Sequence, residues 1–351
     1  MKNSIIISGK SGSGKTKGIL FKEVNNIIDK EDNLLIVDSK EEYYNRFSKQ
    51  LKEKGYNIVV LNLKDVKRSN CFNPYALPYY YYQNKDKDKA AELIDMIGHQ
   101  IFEENKASDP FWTNTSTDLL TGLTILLMQN TTKEKVNIGS LNIAVDLIGK
   151  GNEYNGTFEE YLKNISTSDP VYICTSGTVF APPETKGSIL SVVRQRIKKY
   201  CMRENLMNLL CNTDFEVENI GKEKTAIFII TREDNKGINE IGNMLIEEVF
   251  SLVNFNNLKF NFILDNIETL KPIDSLNNMI DMNSENIKVY VATRNIDVLK
   301  EEYSKNIFTN ISKVINAEEE NIEIDNQTKE KEELPTVTKT AEYFDIKEII
   351  K

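Results

Sequence analysis

NSIIISGKSGSGKT, residues 3–16, decides how this chain folds. Ile5, Ile6 and Ile7 make a short apolar run without alternation, the pattern of a strand buried on both faces. The run turns directly into Gly9-Lys10-Ser11-Gly12-Ser13-Gly14-Lys15-Thr16, a match to G-x-x-x-x-G-K-[ST]. Beyond it Leu20, Val24, Ile27 and Ile28 recur at helical spacing. A glycine-rich loop between a buried strand and an amphipathic helix is a phosphate cradle. Its backbone N–H groups curl around phosphate oxygens, and the helix N-terminus adds partial positive charge. Lys15 has no packing reason to stand there; its expected role is to bridge the outer phosphates of ATP, with the Thr16 hydroxyl on Mg2+.

Moving outward, NLLIVDS (33–39) is a second apolar strand, EEYYNRFSKQLKEKG (41–55) a charged amphipathic helix closed by Gly55, and YNIVVLNL (56–63) a third strand. Strand–helix alternation with continuous Val/Ile/Leu strands predicts an α/β fold with a parallel-rich sheet covered on both faces. From residue 85 to 220 the strand signal fades, and segments such as KAAELIDMIGHQIFEE and FWTNTSTDLLTGLTILLM carry apolar residues at helical steps. In ASDPFW (107–112), Asp109 before Pro110 marks a helix entrance. TAIFIIT (225–231), KFNFILD (259–265), NIKVYVATR (286–294) and NISKVINA (310–317) resume the strands. The expected organisation is therefore a nucleotide-binding domain over 1–84 and 221–317, an all-helical insertion over 85–220, and an acidic, flexible tail over 318–351. AEYFDIKEIIK, at the end of that tail, is a candidate docking helix.

Composition excludes several classes. A formal net charge of −9 argues against coating nucleic acid by bulk attraction, so any DNA contact needs a local basic surface. No apolar run approaches the roughly 20 residues of a membrane-spanning helix, and no secretory signal is visible. The four cysteines are scattered without a C-x-x-C pair, as expected of free thiols in a cytosolic protein, and no metal cluster is expected. His99 is the single histidine, which removes histidine triads and multi-histidine metal sites. The tyrosine run at 79–82 lies in a Pro-flanked connection and suggests packing rather than base stacking.

FILDNIETL (262–270) raises the chemical question. Asp265 ends a buried strand and is the natural carboxylate for the Mg2+ shell; Asp38, ending the second strand, is its rival. Asn266 stands where a nucleotide hydrolase keeps a glutamate. An amide can hydrogen-bond the attacking water but cannot take its proton. Glu268 lies further on and could substitute if the backbone turns suitably.

Taken with their order, several stretches resemble the cytosolic ATPase part of type IV secretion coupling proteins, the TraG-like conjugative DNA-transfer ATPases. They are GKSGSGKT, LLIVDSKEEYYNRFSKQLKEKGYNIVVLNLKD, SNCFNPYALP, DPFWTNTSTDLLTGLTILLM, and FILDNIETLKPIDSLNNMI with VYVATRNIDVLKEEY, together spanning roughly residues 3 to 316. The resemblance implies a RecA-like P-loop NTPase with an all-helical insertion, assembled as a hexameric ring. Such a ring couples ATP hydrolysis to movement of single-stranded DNA, with its relaxase, toward a membrane channel. Members generally carry N-terminal transmembrane helices, whereas this sequence opens on its first strand. The expectation is a cytoplasmic chain, peripheral at the inner face of the cell membrane through a separate anchor.

Other departures bear on chemistry. Glu41 replaces the glycine of the D-x-K-G-E turn, Arg294 stands where the family tends to have glutamine, and Asn266 replaces the glutamate of the Walker B sequence. Arg194, Arg196 and Arg294 are candidates to complete a neighbour's site in a ring, and RQRIKKY (194–200) is the one compact basic cluster. Two alternatives stay open: a hydrolysis-deficient nucleotide-binding adaptor, and an FtsK- or HerA-like DNA translocase.

Overall fold

The strands of the computed structural model are β1 (Ile5–Ser8), β2 (Asn33–Val37), β3 (Asn57–Asn62), β4 (Thr225–Ile230), β5 (Phe260–Leu264), β6 (Ile287–Thr293) and β7 (Lys313–Asn316). Among the described residues they form one seven-stranded sheet in the order β3-β4-β2-β5-β6-β1-β7, and every pairing between them is parallel. The structure describes residues 4–102, 109–150, 157–234, 236–281, 286–303, 308, 311–318 and 331–349. By contact the chain divides into two units, Met1–Asn70 with Phe215–Thr336 and Cys71–Asp214 with Val337–Lys351. The division falls after Asn70, before the change in composition near residue 85, because α3 (Ala76–Gln83) packs with α4 (Lys87–Phe102).

The first unit owns the whole sheet. On one face, α1 (Phe21–Asp29) and α2 (Glu42–Glu53) bury Val24, Ile28, Tyr43, Phe47 and Leu51 against Ile7, Leu34, Ile36, Phe228 and Ile263. Phe21 meets Tyr43 and Phe47 edge-on at 5.1 and 5.3 Å between ring centres. α11 (Lys236–Phe255) packs against the sheet: a Cβ at Gly242 would come within 2.9 Å of Ile229, so this helix approaches a strand at glycine distance. Along α11 even Asn239, Glu240, Asn243, Glu247 and Glu248 are buried. Most of these side chains clamp the chain downstream of Asp265: Asn239 Nδ2 donates to Thr269 O at 2.7 Å, Asn243 Nδ2 to Lys271 O at 2.9 Å, and Lys271 Nζ meets Glu240 at 2.6 Å. Glu248 is the exception, with both carboxyl oxygens buried and unpartnered.

The second unit is helical over its described residues, from α3 and α4 through α5 (Pro110–Asn130), α6 (Ile138–Lys150), α7 (Phe158–Asn164), α8 (Pro170–Val179) and α9 (Pro183–Cys201) to α10 (Glu204–Cys211). The Asp-Pro entrance predicted for α5 is present: Asp109 accepts from Phe111 N at 3.0 Å ahead of Pro110, and Asp169-Pro170 repeats the device at α8. The tyrosine run is a correction. Residues 79–82 are the second half of α3 rather than a connection, with Tyr81 buried.

The described part of the C-terminal stretch also differs from the flexible tail that its composition predicts. Within the first unit, Glu332 N donates to Asn45 Oδ1, Tyr44 donates its hydroxyl to Glu333 O at 2.6 Å, and Leu334 packs on the core. Within the second, Phe344 N donates to Ser140 Oγ and Asn137 Nδ2 to Glu342 O, while Ile346 is fully buried. The candidate docking helix is a single turn, Ile346–Glu348. A few spaced apolar residues anchored by side-chain hydrogen bonds order this segment, a pattern that net charge conceals. Residues 319–330 and 350–351 lie outside the described residues. Among the described residues no helix is long and apolar enough to cross a membrane.

Candidate functional site

β1, β6 and β5 lie side by side, so their carboxyl ends bring the glycine loop, Thr293 with Arg294, and Asp265 to one edge of the sheet. The loop depends on its glycines. Gly9, Gly12 and Gly14 have φ of 154, 87 and 88°, and a Cβ on Gly9 would sit 2.5 Å from Ser13 Oγ. Gly9 N donates to Thr293 O at 3.2 Å, tying the loop to β6. From Gly14 the chain enters a wide helical turn, Lys15–Leu20, continuous with α1.

Lys15 folds back into the loop, where Nζ donates to the carbonyl oxygens of Gly9 and Lys10. Burial holds its ammonium below the usual lysine range; the nearby charges of Asp265 and then Glu268 oppose that shift. Thr16 Oγ1 donates to Asp265 Oδ2 at 2.7 Å, and the Tyr43 hydroxyl donates to the same oxygen at 2.9 Å. Asp265 Oδ1 is buried and makes no hydrogen bond. Burial raises the Asp265 carboxyl, with the Thr16 and Tyr43 hydrogen bonds working the other way. A buried carboxylate oxygen left without a donor, on the same side chain that holds Thr16, is the ligand chemistry a hard divalent cation requires.

The rival acid has another task. Asp38 accepts the backbone N–H groups of Glu42, Tyr43 and Tyr44 at 2.9–3.0 Å and so caps α2. Burial pushes its carboxyl up to about 7, against those three hydrogen bonds. Glu41 keeps the left-handed backbone, φ 61°, that the glycine of the D-x-K-G-E pattern would adopt freely.

Beyond Asp265 the two candidate water-handling groups part company. Asn266 is also left-handed, φ 52°, and its Nδ2 donates to Ser39 Oγ at 2.9 Å on the β2 side. Glu268 lies in the short turn Ile267–Thr269 and reaches the β6 side, where Oε1 accepts from the Thr293 hydroxyl and from Arg294 N. Its Oε2 is buried without a partner. The Arg294 guanidinium meets Glu233 at 3.3 Å. Arg194 and Arg196 belong to α9 in the helical unit, where Arg194 lies 3.7 Å from Asp146. Among the described residues no set of three or more His, Cys, Asp and Glu side chains could hold a metal ion by itself.

Sequence reasoning missed Tyr43, Ser39 and Thr293. Ser39 and Thr293 are ordinary polar residues at strand ends and Tyr43 lies in the first turn of α2, and only the strand order shows which neighbours they meet.

Comparison with known proteins points one way. The family profile described as "Type IV secretory system Conjugative DNA transfer" matches residues 2–341. Among solved structures, the bacterial conjugative coupling protein TrwBdeltaN70 in its unbound form is similar with a TM-score of 0.60 at 14% identity, over 88% of this chain and 66% of that one. The plasmid coupling protein TrwB in complex with the non-hydrolysable analogue ADPNP gives 0.61 at 14% identity, over 89% of this chain and 69% of that one. TrwB in complex with ADP and Mg2+ gives 0.60 at 14%, with the same coverages. The chain therefore spans about two thirds of the length of these solved relatives, and the likeness fixes the fold as a RecA-like P-loop NTPase. No curated protein matches in sequence.

Proposed function

We propose, from the fact that this chain belongs to the type IV secretory system conjugative DNA transfer family, that it is an ATP-binding coupling component that moves single-stranded DNA toward a secretion channel. The Thr16–Asp265 contact beneath the glycine loop carries the nucleotide part of this reading. Backbone N–H groups of Gly9–Thr16 would surround the phosphates, Lys15 would leave the loop carbonyls for the outer phosphate oxygens, and Thr16 with Asp265 Oδ1 would face Mg2+. Bound Mg2+ supplies charge neutralisation of the phosphates. The protein's part is to hold those oxygens in place.

Membership of the family makes DNA the natural cargo and a relaxase the natural partner. A hexameric ring at the inner face of the cell membrane, reached through a separate anchor and a channel complex, is the assembly we propose. Within a ring, Arg294 and the α9 arginines are the candidates for a neighbour's site. Purified full chain should release phosphate from Mg·ATP, faster with single-stranded DNA than without. Failure of Mg·ATP to bind at millimolar concentration would sink the nucleotide reading.

One observation favours a second reading. Asn266 is an amide, and Ser39 holds it on the far side of Asp265. A chain that binds Mg·ATP and assembles, but never turns it over, would act as a hydrolysis-deficient adaptor beside a competent partner. Phosphate release distinguishes the two directly.

Tyr43 gives a finer test of the metal residues. Tyr43→Phe keeps the ring between Phe21 and Phe47 and removes only the hydroxyl on Asp265. A hydrogen bond to a charged group contributes about 1.5 kcal/mol. The Mg2+ concentration needed for half-maximal nucleotide binding should therefore rise about tenfold, while metal-free nucleotide affinity stays within about twofold. An unchanged Mg2+ requirement would remove Tyr43 from the site.

A further inference from the structure

We propose that Glu268, rather than the residue that follows Asp265, is the carboxylate that takes the proton of the attacking water in ATP hydrolysis by this chain. The inference rests on the nucleotide reading above and deepens it.

Three observations carry it. First, the two residues that could handle water leave the β5 end in opposite directions. Asn266 turns through a left-handed backbone toward Ser39 at the end of β2, and Glu268 turns toward Thr293 at the end of β6. The sheet order then matters: β6 stands between β5 and β1, the strand that carries the glycine loop, whereas β2 stands on the other side of β5. Glu268 is thus on the phosphate side and Asn266 is not. Its charge is the second carboxylate, after Asp265, that acts on Lys15.

Second, Glu268 is held in place from several sides. One oxygen takes both the Thr293 hydroxyl and the Arg294 backbone N–H, and the turn that bears it is fixed by Asn239 through Thr269 O. A side chain anchored at one oxygen presents the other with little freedom to reorient. Third, that other oxygen, Oε2, is buried and unpartnered, as is Asp265 Oδ1. Buried carboxylate oxygens ordinarily have donors. Two orphaned oxygens beside one phosphate-loop lysine correspond to the two groups a hydrolytic site adds to its own residues: a metal ion at Asp265 and a water at Glu268.

The step balances as an in-line displacement. The water oxygen bonds to the γ-phosphorus, and the bond from that phosphorus to the β,γ-bridging oxygen breaks, its electron pair leaving on ADP. The water proton passes to Glu268 Oε2 and is returned to the released phosphate. Asn266 has no carboxylate with which to take it.

Glu268→Gln tests the assignment because the amide oxygen still accepts from Thr293 and Arg294 while the proton-accepting group is gone. In the full chain, turnover should fall at least 100-fold, since positioned general bases contribute about 10²–10⁴-fold. Mg·ATP affinity should stay within threefold of wild type. Thr293→Val, which removes one anchor and keeps the branched strand residue, should lower turnover by a smaller factor, about tenfold, again with affinity retained; it serves if Glu268→Gln does not fold. Turnover within threefold of wild type in both variants overturns the proposal. So does turnover that falls only in step with nucleotide affinity, or a wild-type chain that binds Mg·ATP without hydrolysing it. Those outcomes leave the nucleotide reading standing; absence of Mg·ATP binding in wild type removes both.

Discussion

Lys15→Ala is expected to lower affinity for Mg·ATP by two to three orders of magnitude while leaving the protein without nucleotide at least as stable as wild type. Each charge-assisted hydrogen bond from the ammonium to a phosphate oxygen contributes about 1.5–3 kcal/mol, and Lys15 has donors for two. Without nucleotide the same ammonium is buried among loop carbonyls, and burial already disfavours its charge. Removing it therefore costs little in that state. Calorimetry should show the affinity loss. Thermal melts should show the second half of the result: wild type gains stability with added Mg·ATP by mass action, and Lys15→Ala shows no gain at the same concentration. A variant that melts far below wild type without nucleotide would mean that Lys15 is a structural residue.

Glu248→Met should stabilise the first unit by about 2 kcal/mol at neutral pH. Both Glu248 oxygens are buried and unpartnered on α11, and burial alone holds its carboxyl well above the usual range. Leaving a buried polar group unsatisfied costs about 1–3 kcal/mol, more when it is charged, and Met has comparable volume without the charge. At about 2–4 °C per kcal/mol for a unit of this size, the midpoint should rise by roughly 4–8 °C. The pH dependence has a definite sign. Because the folded-state carboxyl titrates above its unfolded value of 4.5, its relative stability is fully present below that pH and is lost as pH rises toward the folded value. The advantage of Glu248→Met should thus be smallest near pH 4 and grow toward neutrality. An advantage that shrinks with rising pH would point to a cationic partner for Glu248.

How much of this was legible in residues alone varies with the kind of evidence. The strands were, because a parallel sheet covered on both faces needs near-continuous apolar runs. The glycine loop was too, since Gly9, Gly12 and Gly14 take backbone angles that other residues reach only under strain. The positive-φ conformations at Glu41 and Asn266 were not legible, because neither is glycine. Nor was the choice between Asp38 and Asp265: both end apolar strands, and only the strand order sets one beside Thr16 and turns the other onto α2. The ordered stretch 331–349 escaped for a simpler reason. Its charge is that of a tail, but Leu334, Phe344 and Ile346 each find an existing apolar surface.

The sheet order has a consequence for how the protein is made. In β3-β4-β2-β5-β6-β1-β7, none of the first three strands to leave the ribosome neighbours another of the three. β3 waits for β4, β2 for β4 and β5, and β1 for β6 and β7. Between Asn62 and Thr225 lies the whole helical stretch, and synthesis of that span at about 5–20 residues per second takes roughly 8–32 s. Throughout that interval three Ile/Val-rich segments have no partner strand, and each is an adhesive edge of the kind that chaperones bind and neighbouring nascent chains capture. Expression halted before Thr225 should therefore yield chaperone-bound or aggregated chains, and slower translation of the helical stretch should lower the soluble yield rather than raise it.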